Sequence, residues 1–217
     1  MAMKLFIAGA NGGIGRQAVE QALQAGHQVT ALVRDPAKLA LTHPNLLIVK
    51  GDVLQPDTFA HQLQDQQAVI SALGVSGSSL FGDKPTTLYS QGNANLLKAM
   101  EQYDVKRIFC ISASALEVSP VNPWYARLAA KYVIQKLLKH MYADLRRMEN
   151  IIKASGTEWT IIRPPQLTNE SLTGHYRTAM NVFLKDCLKI SRANVAHFIV
   201  NNLTNKATYR ATVEIAN

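Results

Sequence analysis

Short apolar runs alternate along this chain with longer stretches of helical period, and that alternation predicts the architecture. Leu5-Phe6-Ile7-Ala8, Gln28–Val33, Leu46–Lys50, Ala68–Leu73, Arg107–Ile111 and Glu158–Ile162 read as strands bounded by turn residues. Between the first two, Gly13 to Ala25 carries Ile14, Ala18, Val19, Ala22 and Leu23 at the spacing of a helix with one buried face. Further helices are expected at about 56–63, at 85–103 with Pro85 in the first turn, at 123–154 with a break near His140 or Met141, and at 192–202. A last strand is expected near 208–215. Strands separated by helix-length segments build βαβ units with right-handed crossovers. The predicted fold class is α/β: a Rossmann-like, doubly wound, mainly parallel sheet with helices on both faces. Its 217 residues fit one such domain, 1–217, with a small substrate-facing region at about 115–145 and 165–190.

The first chemistry lies where the first strand meets the first helix. Gly9, Gly12 and Gly15 follow the strand at three-residue intervals, in Gly9-Ala10-Asn11-Gly12-Gly13-Ile14-Gly15. A bare glycine triplet is ordinary turn chemistry, but between a strand and a helix it is the arrangement a dinucleotide pyrophosphate needs. One glycine permits the tight turn, one lets backbone approach the phosphates and one lets helix pack on strand. The free N–H groups of the helix's first turn then face the anion.

The other strand ends extend this site. After the second strand come Arg34, Asp35 and Lys38. An arginine there accommodates the 2′-phosphate of NADP and an acidic residue binds the ribose of NAD, so Arg34 favours NADPH while Asp35 keeps NADH open. Asp52 and Val53, after the third strand, are placed beside the adenine. Leu73 and Gly74 end the fourth strand, and the glycine- and serine-rich run to Asp83 reads as a lid over the nicotinamide half or as a connector. Ser112 follows the fifth strand, where it can bond the nicotinamide carboxamide or substrate, or merely cap the strand. Arg163 and Pro164 follow the sixth. The expected cofactor-binding set is thus Gly9, Asn11, Gly12, Gly13, Ile14, Arg34, Asp52, Val53, Leu73, Gly74, Ser112, Arg163 and Pro164.

Composition narrows the class. Hydrophobic residues make up 47% and no apolar run is long enough to span a bilayer. Met-Ala-Met-Lys leads directly into the first strand, leaving no room for a signal peptide, and Cys110 and Cys187 read as reduced thiols, so a cytoplasmic location is expected. No zinc spacing is present, and no metal is expected. The net charge of +8 is spread along the chain without a nucleic-acid module. It suits a phosphate-rich cofactor and an anionic or aromatic small-molecule electron acceptor, with no nucleic acid partner and with room for an oligomer.

The region 123–154 interleaves Arg127, Lys131, Lys136, Lys139, Arg146, Arg147 and Lys153 with apolar positions, the pattern of a solvated face over a core stripe. Trp124, Tyr125 and Tyr132 within it suggest packing over the pocket or a subunit contact. Tyr132 and Lys136 have the YxxxK spacing in which an ammonium lowers a phenol's pKa for proton donation. Tyr142, with Arg146 four residues on, competes with that pair. The candidate catalytic residues are Ser112, Tyr132 and Lys136. The polar run Gln166 to Arg177, with a turn at Gly174, reads as substrate-facing, and His197 as a packed histidine.

Ala8 to Gly15, Leu32-Val33-Arg34-Asp35, Gly51-Asp52-Val53-Leu54, Lys84-Pro85-Thr86-Thr87, Arg163-Pro164-Pro165 and Leu172-Thr173-Gly174-His175-Tyr176 together resemble the atypical short-chain dehydrogenase/reductases, with the closest likeness to the biliverdin reductase B (flavin reductase) group. The resemblance implies a single-domain Rossmann fold binding NADPH. It implies that the turn from Gly9 to Gly15 holds the pyrophosphate, that Arg34 binds the 2′-phosphate and that Ser112 lies beside nicotinamide and acceptor. It further implies hydride transfer to flavins or linear tetrapyrroles without a tyrosine-lysine pair. The chain departs from that group between about Ser119 and Met141, where its helical segment is longer. The expected function is an NADPH-dependent reductase of a flavin, linear tetrapyrrole or quinone-like acceptor. Two alternatives stand beside it: a tyrosine-dependent ketone or sugar dehydrogenase, and a non-catalytic NADP redox sensor.

Overall fold

A computed structural model describes residues 1–75, 85–121, 124–129, 132 and 135–217. Strands β1 (Lys4–Ala8), β2 (Gln28–Val33), β3 (Leu46–Lys50), β4 (Ala68–Ser71), β5 (Arg107–Ile111) and β6 (Glu158–Arg163) carry the first part of the sheet. Two short strands, β7 (Gln166–Thr168) and β9 (Lys189–Ser191), pair in parallel as a separate ribbon. The sheet is completed by β8 (Arg177–Met180) and β10 (Ala211–Ala216). The helices are α1 (Gly13–Gln24), α2 (Leu88–Gln102), α3 (Trp124–Ala129), α4 (Gln135–Leu137), α5 (Lys139–Ala154) and α6 (Arg192–Asn201). The eight-stranded sheet has the order β3-β2-β1-β4-β5-β6-β10-β8, parallel throughout except that β8 runs antiparallel to β10.

The strand period of two splits the core into two layers. In β1, Leu5 and Ile7 face the layer beneath α1 and α6, whereas Phe6 and Ala8 face the layer beneath α2 and α5. The order reverses at β1, which is flanked by β2 and β4, so crossovers on either side leave a crevice at the carboxyl ends of the strands.

Several elements differ from the sequence expectation. The stretch 56–63 forms two 3₁₀ turns, Pro56–Thr58 and Ala60–Leu63, because Phe59, buried at φ −144°, leaves the helical region between them. Helix α2 begins at Leu88 and leaves Pro85 outside it. Thr87, at its N-cap, makes no side-chain cap bond; the buried Asp144 of α5 takes that task, accepting from Tyr89 N at 2.8 Å and from the Ser90 hydroxyl. The region 123–154 divides into α3, α4 and α5, with the last break at Leu138 rather than near His140 or Met141. In α5 the basic residues Arg146, Arg147 and Lys153 lie exposed over a buried stripe of Tyr142, Leu145, Met148 and Ile152. The polar run 166–177, expected to face substrate, contributes β7 and the start of β8, and the last strand begins at Ala211. The lid expected after Gly74, from 76 onward, lies outside the described residues, as do Lys84 and Lys131.

A buried ion network ties α5 to β6. Arg163 donates from Nε to Glu149 Oε1 (2.8 Å) and from Nη2 to Glu149 Oε2 (2.6 Å) and Glu117 Oε1 (2.6 Å). Lys153 Nζ adds a bond to Glu149 Oε2 at 3.0 Å. Burial opposes ionisation of Glu149, but the Arg163 guanidinium and the donors Ser112 and Lys153 outweigh it and hold the carboxyl below its ordinary value of 4.5. Both carboxylate oxygens accept two hydrogen bonds each, and the guanidinium is held through Nε and Nη2, the kind of pairing under which buried charges are tolerated.

Two expectations follow. Asp144→Ala removes the α2 cap and leaves Tyr89 N and Ser90 without their acceptor; chemical denaturation should show a loss of about 3 kcal/mol. Because the folded pKa of Glu149 lies below the unfolded one, its contribution is complete above about pH 4.5 and disappears as pH falls through the folded value. Urea titrations at stepped pH should therefore show the wild type losing stability more steeply on acidification than Glu149→Gln, which starts lower at neutral pH; parallel slopes would contradict the network's role.

Candidate functional site

The site is built on a close approach of three backbone segments. Gly9 follows β1 at φ +79°, and a Cβ there would run into the carbonyl of Ala72, just past β4. A Cβ on Gly15 would run into the carbonyl of Gly9. Only glycine at both positions lets β1 turn so sharply and lets α1 rest on the turn. Gly12 N donates to Gly9 O at 2.9 Å to close it. The first turn of α1 then has neither a side-chain cap nor an acidic residue, so its N–H groups and the positive end of its dipole open onto the crevice.

From this turn a cleft of about 1180 Å³ runs along the carboxyl edge of the sheet. Its wall includes Gly9, Asn11, Gly12, Gly13, Ile14, Arg34, Asp52, Val53, Leu73, Gly74, Ser112 and Pro164, which the fold gathers from six strand ends. Arg163 is the exception among the residues expected at the cofactor, since its guanidinium turns inward to Glu149 and Glu117. The strand that delivers it alternates its side chains, and Arg163 falls on the helix-covered face.

At one end of the cleft lie Arg34, Asp35 and Lys38. Asn11 Nδ2 donates to the Asp35 carbonyl at 2.8 Å, joining the glycine turn to the end of β2. The Asp35 carboxylate is already engaged: Oδ1 accepts from Ala37 N at 3.2 Å, and Oδ2 lies 3.7 Å from Lys38 Nζ. Asp52 is similarly self-capped, with Oδ1 accepting from Leu54 N at 2.9 Å. The Val53 carbonyl accepts from Asn95 Nδ2 of α2 at 2.8 Å. Arg34 is exposed and has no ion-pair partner among the described residues.

The other end is apolar, walled by Leu138, Met141, Leu145, Pro164 and Pro165, with Ser112 and Tyr142 as its hydroxyls. Ser112 is buried, and its Oγ donates to Glu149 Oε1 at 2.7 Å. With that proton committed to a carboxylate, the serine presents lone pairs to the cleft and acts there as an acceptor. Tyr142 is buried and burial pushes its phenol up; Arg146, four residues on, donates instead to the Leu116 carbonyl. Tyr89 Oη accepts from Val75 N at 3.2 Å and anchors the start of the segment after β4.

Tyr132 and Lys136 are both exposed, Tyr132 by 61%, and neither is in the cleft wall. Trp124 is 72% exposed and likewise outside it. Two residues that shape the site, Arg192 in the cleft wall and Asp144 behind it, carry no signal in the sequence. Arg192 reaches the glycine turn from the start of α6, far away in sequence, with no local motif to announce it. Asp144, which orders α2 beside the cleft, looks from the sequence like one more surface charge. His197 packs as expected, its Nδ1 2.9 Å from the Tyr176 hydroxyl.

The uncapped helix start, the glycine cradle and the cations flanking it fit a dinucleotide. Comparison with known proteins agrees. An NAD(P)H-binding family model matches residues 9–206. An uncharacterised chloroplastic protein of Arabidopsis thaliana is 32% identical, over 98% of this chain and 76% of its own length. The uncharacterised sugar epimerase YhfK of Bacillus subtilis is 33% identical, over 95% of this chain and 90% of its own length. A short-chain dehydrogenase/reductase of Veillonella parvula, solved in complex with NADP, superposes with a TM-score of 0.78 at 17% identity, covering 100% of this chain and 95% of that one; at that identity the likeness is one of fold. With its glycine turn, its cleft and a match over almost its whole length, this chain belongs to the NAD(P)H-binding family and carries a Rossmann-like fold.

Proposed function

We propose that the protein is an NADPH-dependent reductase that delivers hydride to a flavin, linear tetrapyrrole or quinone-like acceptor, in the manner of the biliverdin reductase B group. The observation that carries this reading is the division of the cleft into a cationic end and an apolar end. At the cationic end the exposed Arg34, without an ion-pair partner among the described residues, and Lys38 offer donors to a 2′-phosphate, while the Asp35 carboxylate that a ribose hydroxyl would use faces Lys38 and accepts from Ala37 N. The apolar end, between Leu138, Met141, Leu145 and the two prolines, suits a flat aromatic acceptor.

When bound, the dinucleotide supplies the hydride. The amides of α1 and the glycine turn hold the pyrophosphate, Asp52 and Val53 border the adenine, and Leu73, Gly74 and Pro164 border the nicotinamide. Ser112 offers an acceptor to the carboxamide N–H₂. Arg163 acts from below as a positioning residue: it keeps Glu149 ionised, and Glu149 in turn fixes the Ser112 hydroxyl. An ionised Glu149 has no proton to pass through Ser112 near neutral pH, so the proton that follows hydride comes from water. A conjugated acceptor spreads the incoming charge and makes that sufficient.

A second reading rests on Tyr142, a phenol in the apolar wall that could serve a ketone or sugar substrate as acid; the sugar epimerase relative lends it interest. Burial raises this phenol, and no cation donates to it among the described residues, which makes it a weak acid for the task.

Following NADPH consumption with free flavin mononucleotide should show turnover, and NADH should be used far less well. Arg34→Ala should raise KM for NADPH by about 10- to 100-fold and leave NADH nearly unchanged; equal effects on the two would sink the Arg34 assignment. NADPH binding without turnover of any such acceptor would move the protein to the redox-sensor class. Ser112→Ala should lower kcat severalfold and Tyr132→Phe should do little. If Tyr142→Phe abolishes turnover while cofactor affinity is intact, the tyrosine-acid mechanism replaces ours.

A further inference from the structure

Arg192 lies on the glycine turn although it belongs to the last helix. It opens α6, whose start is fixed by Ser191: the Ser191 Oγ accepts from Asn194 N at 3.0 Å. From there the side chain runs back over α1, close enough that a Cβ on Gly13 would collide with its Cδ and Nε. The absence of a Cβ at Gly13 therefore makes room for an arginine as well as for a ligand. The guanidinium is oriented by one hydrogen bond, Nη1 to Asn169 Oδ1 at 2.7 Å, from the residue just past β7. No carboxylate pairs with it among the described residues, and it lines the same cleft as Gly12, Gly13 and Ile14.

A cation beside an uncapped helix start, without an anion of its own, is an unfinished ion pair. We infer that Arg192 is a second phosphate-binding residue of the cleft, which closes over the dinucleotide's pyrophosphate from the side opposite the α1 amides and is positioned for this by Asn169. The cleft then has two cationic stations. Arg34 with Lys38 serves the adenosine end, and Arg192 serves the diphosphate bridge that every dinucleotide carries. Arg192 should strengthen NAD and NADP alike, whereas discrimination between them rests with Arg34. The inference needs a dinucleotide in the glycine turn and is independent of the acceptor and of the preference for NADPH.

The location of Arg192 also links the two halves of the fold. Asn169 follows β7, β7 pairs with β9, and β9 leads directly into Arg192. The small β7–β9 ribbon thus sets the guanidinium over the turn, and gives that ribbon a task in cofactor binding.

The test is direct binding, by calorimetry or by displacement of NADPH fluorescence, for wild type, Arg192→Gln, Arg192→Lys, Asn169→Ala and Arg34→Ala. Arg192→Gln should weaken NAD and NADP by the same factor, about 10-fold or more, and leave adenosine 2′-monophosphate, which lacks the diphosphate, within about twofold. Arg192→Lys should recover part of the loss, and Asn169→Ala should show a smaller loss with the same ligand pattern. Raising salt should weaken dinucleotide binding less steeply in Arg192→Gln than in wild type. Unchanged dinucleotide binding in Arg192→Gln, or an equal loss for adenosine 2′-monophosphate, would overturn the inference. Should Arg192→Gln not fold, an unaltered affinity in folded Asn169→Ala would overturn the positioning that the inference requires. Failure of the NADPH reading has a different signature: Arg34→Ala would then affect NAD and NADP equally, whatever Arg192 does.

Discussion

Everything at the cofactor end depends on how closely three stretches of backbone can approach one another. The end of β1, the first turn of α1 and the residue after β4 meet where the carbonyls of Gly9 and Ala72 leave no space for a Cβ on Gly15 or Gly9. That contact sets the angle at which α1 leaves the sheet, and so aims its unbonded N–H groups along the strand ends. It also places the segment after β4 beside the turn, so that one cleft joins the glycine cradle to Leu73 and Gly74. A methyl group at either glycine would separate the layers that form the cleft.

A second constraint governs the other end. Glu149, Arg163 and Ser112 come from a helix and two strands, and their bonds lock α5 onto the strand ends from which Ser112 faces the cleft. Burying these charges is tolerated because the guanidinium meets the carboxylate through two hydrogen bonds, with Glu117, Ser112 and Lys153 as further partners. The chemical consequence is that Ser112 acts as an acceptor toward the cleft, a polarity that follows from the proton it gives to Glu149. Asp144, five residues before Glu149 on α5, likewise caps α2 from a distance. One helix thus both orders the neighbour that borders the cleft and supports the residue at its floor.

The strands were legible because their signal is local. The bounds of β2, β3 and β5 read from the apolar pattern coincide with the structure, and the glycine turn, Arg34, Asp52 and Ser112 all lie at strand ends where a parallel sheet must gather them. The segment 56–63 forms 3₁₀ turns where one helix is expected, and the strands within 166–177 carry no local signal, since short elements take their conformation from neighbours instead of from their own period. Arg163 was expected at the cofactor because it ends a strand, but whether such a side chain turns to cleft or core depends on a carboxylate waiting beneath it. Tyr132 and Lys136 have the spacing of a catalytic pair, yet spacing along the chain says nothing of whether the two side chains face the cleft.

The amino-acid sequence by itself determined the class of fold, the dinucleotide turn and the cationic residues after β2, because strand period, glycine placement and charge at a strand end act within a few residues of one another. Only the tertiary structure decided the rest: that Arg163 serves Glu149, that Ser112 faces the cleft as an acceptor, that Tyr142 lines the wall in place of Tyr132, and that Arg192 reaches the turn. These are contacts between residues far apart in the chain, and which of them form is fixed by the packing of helices on the sheet, a property no local pattern contains.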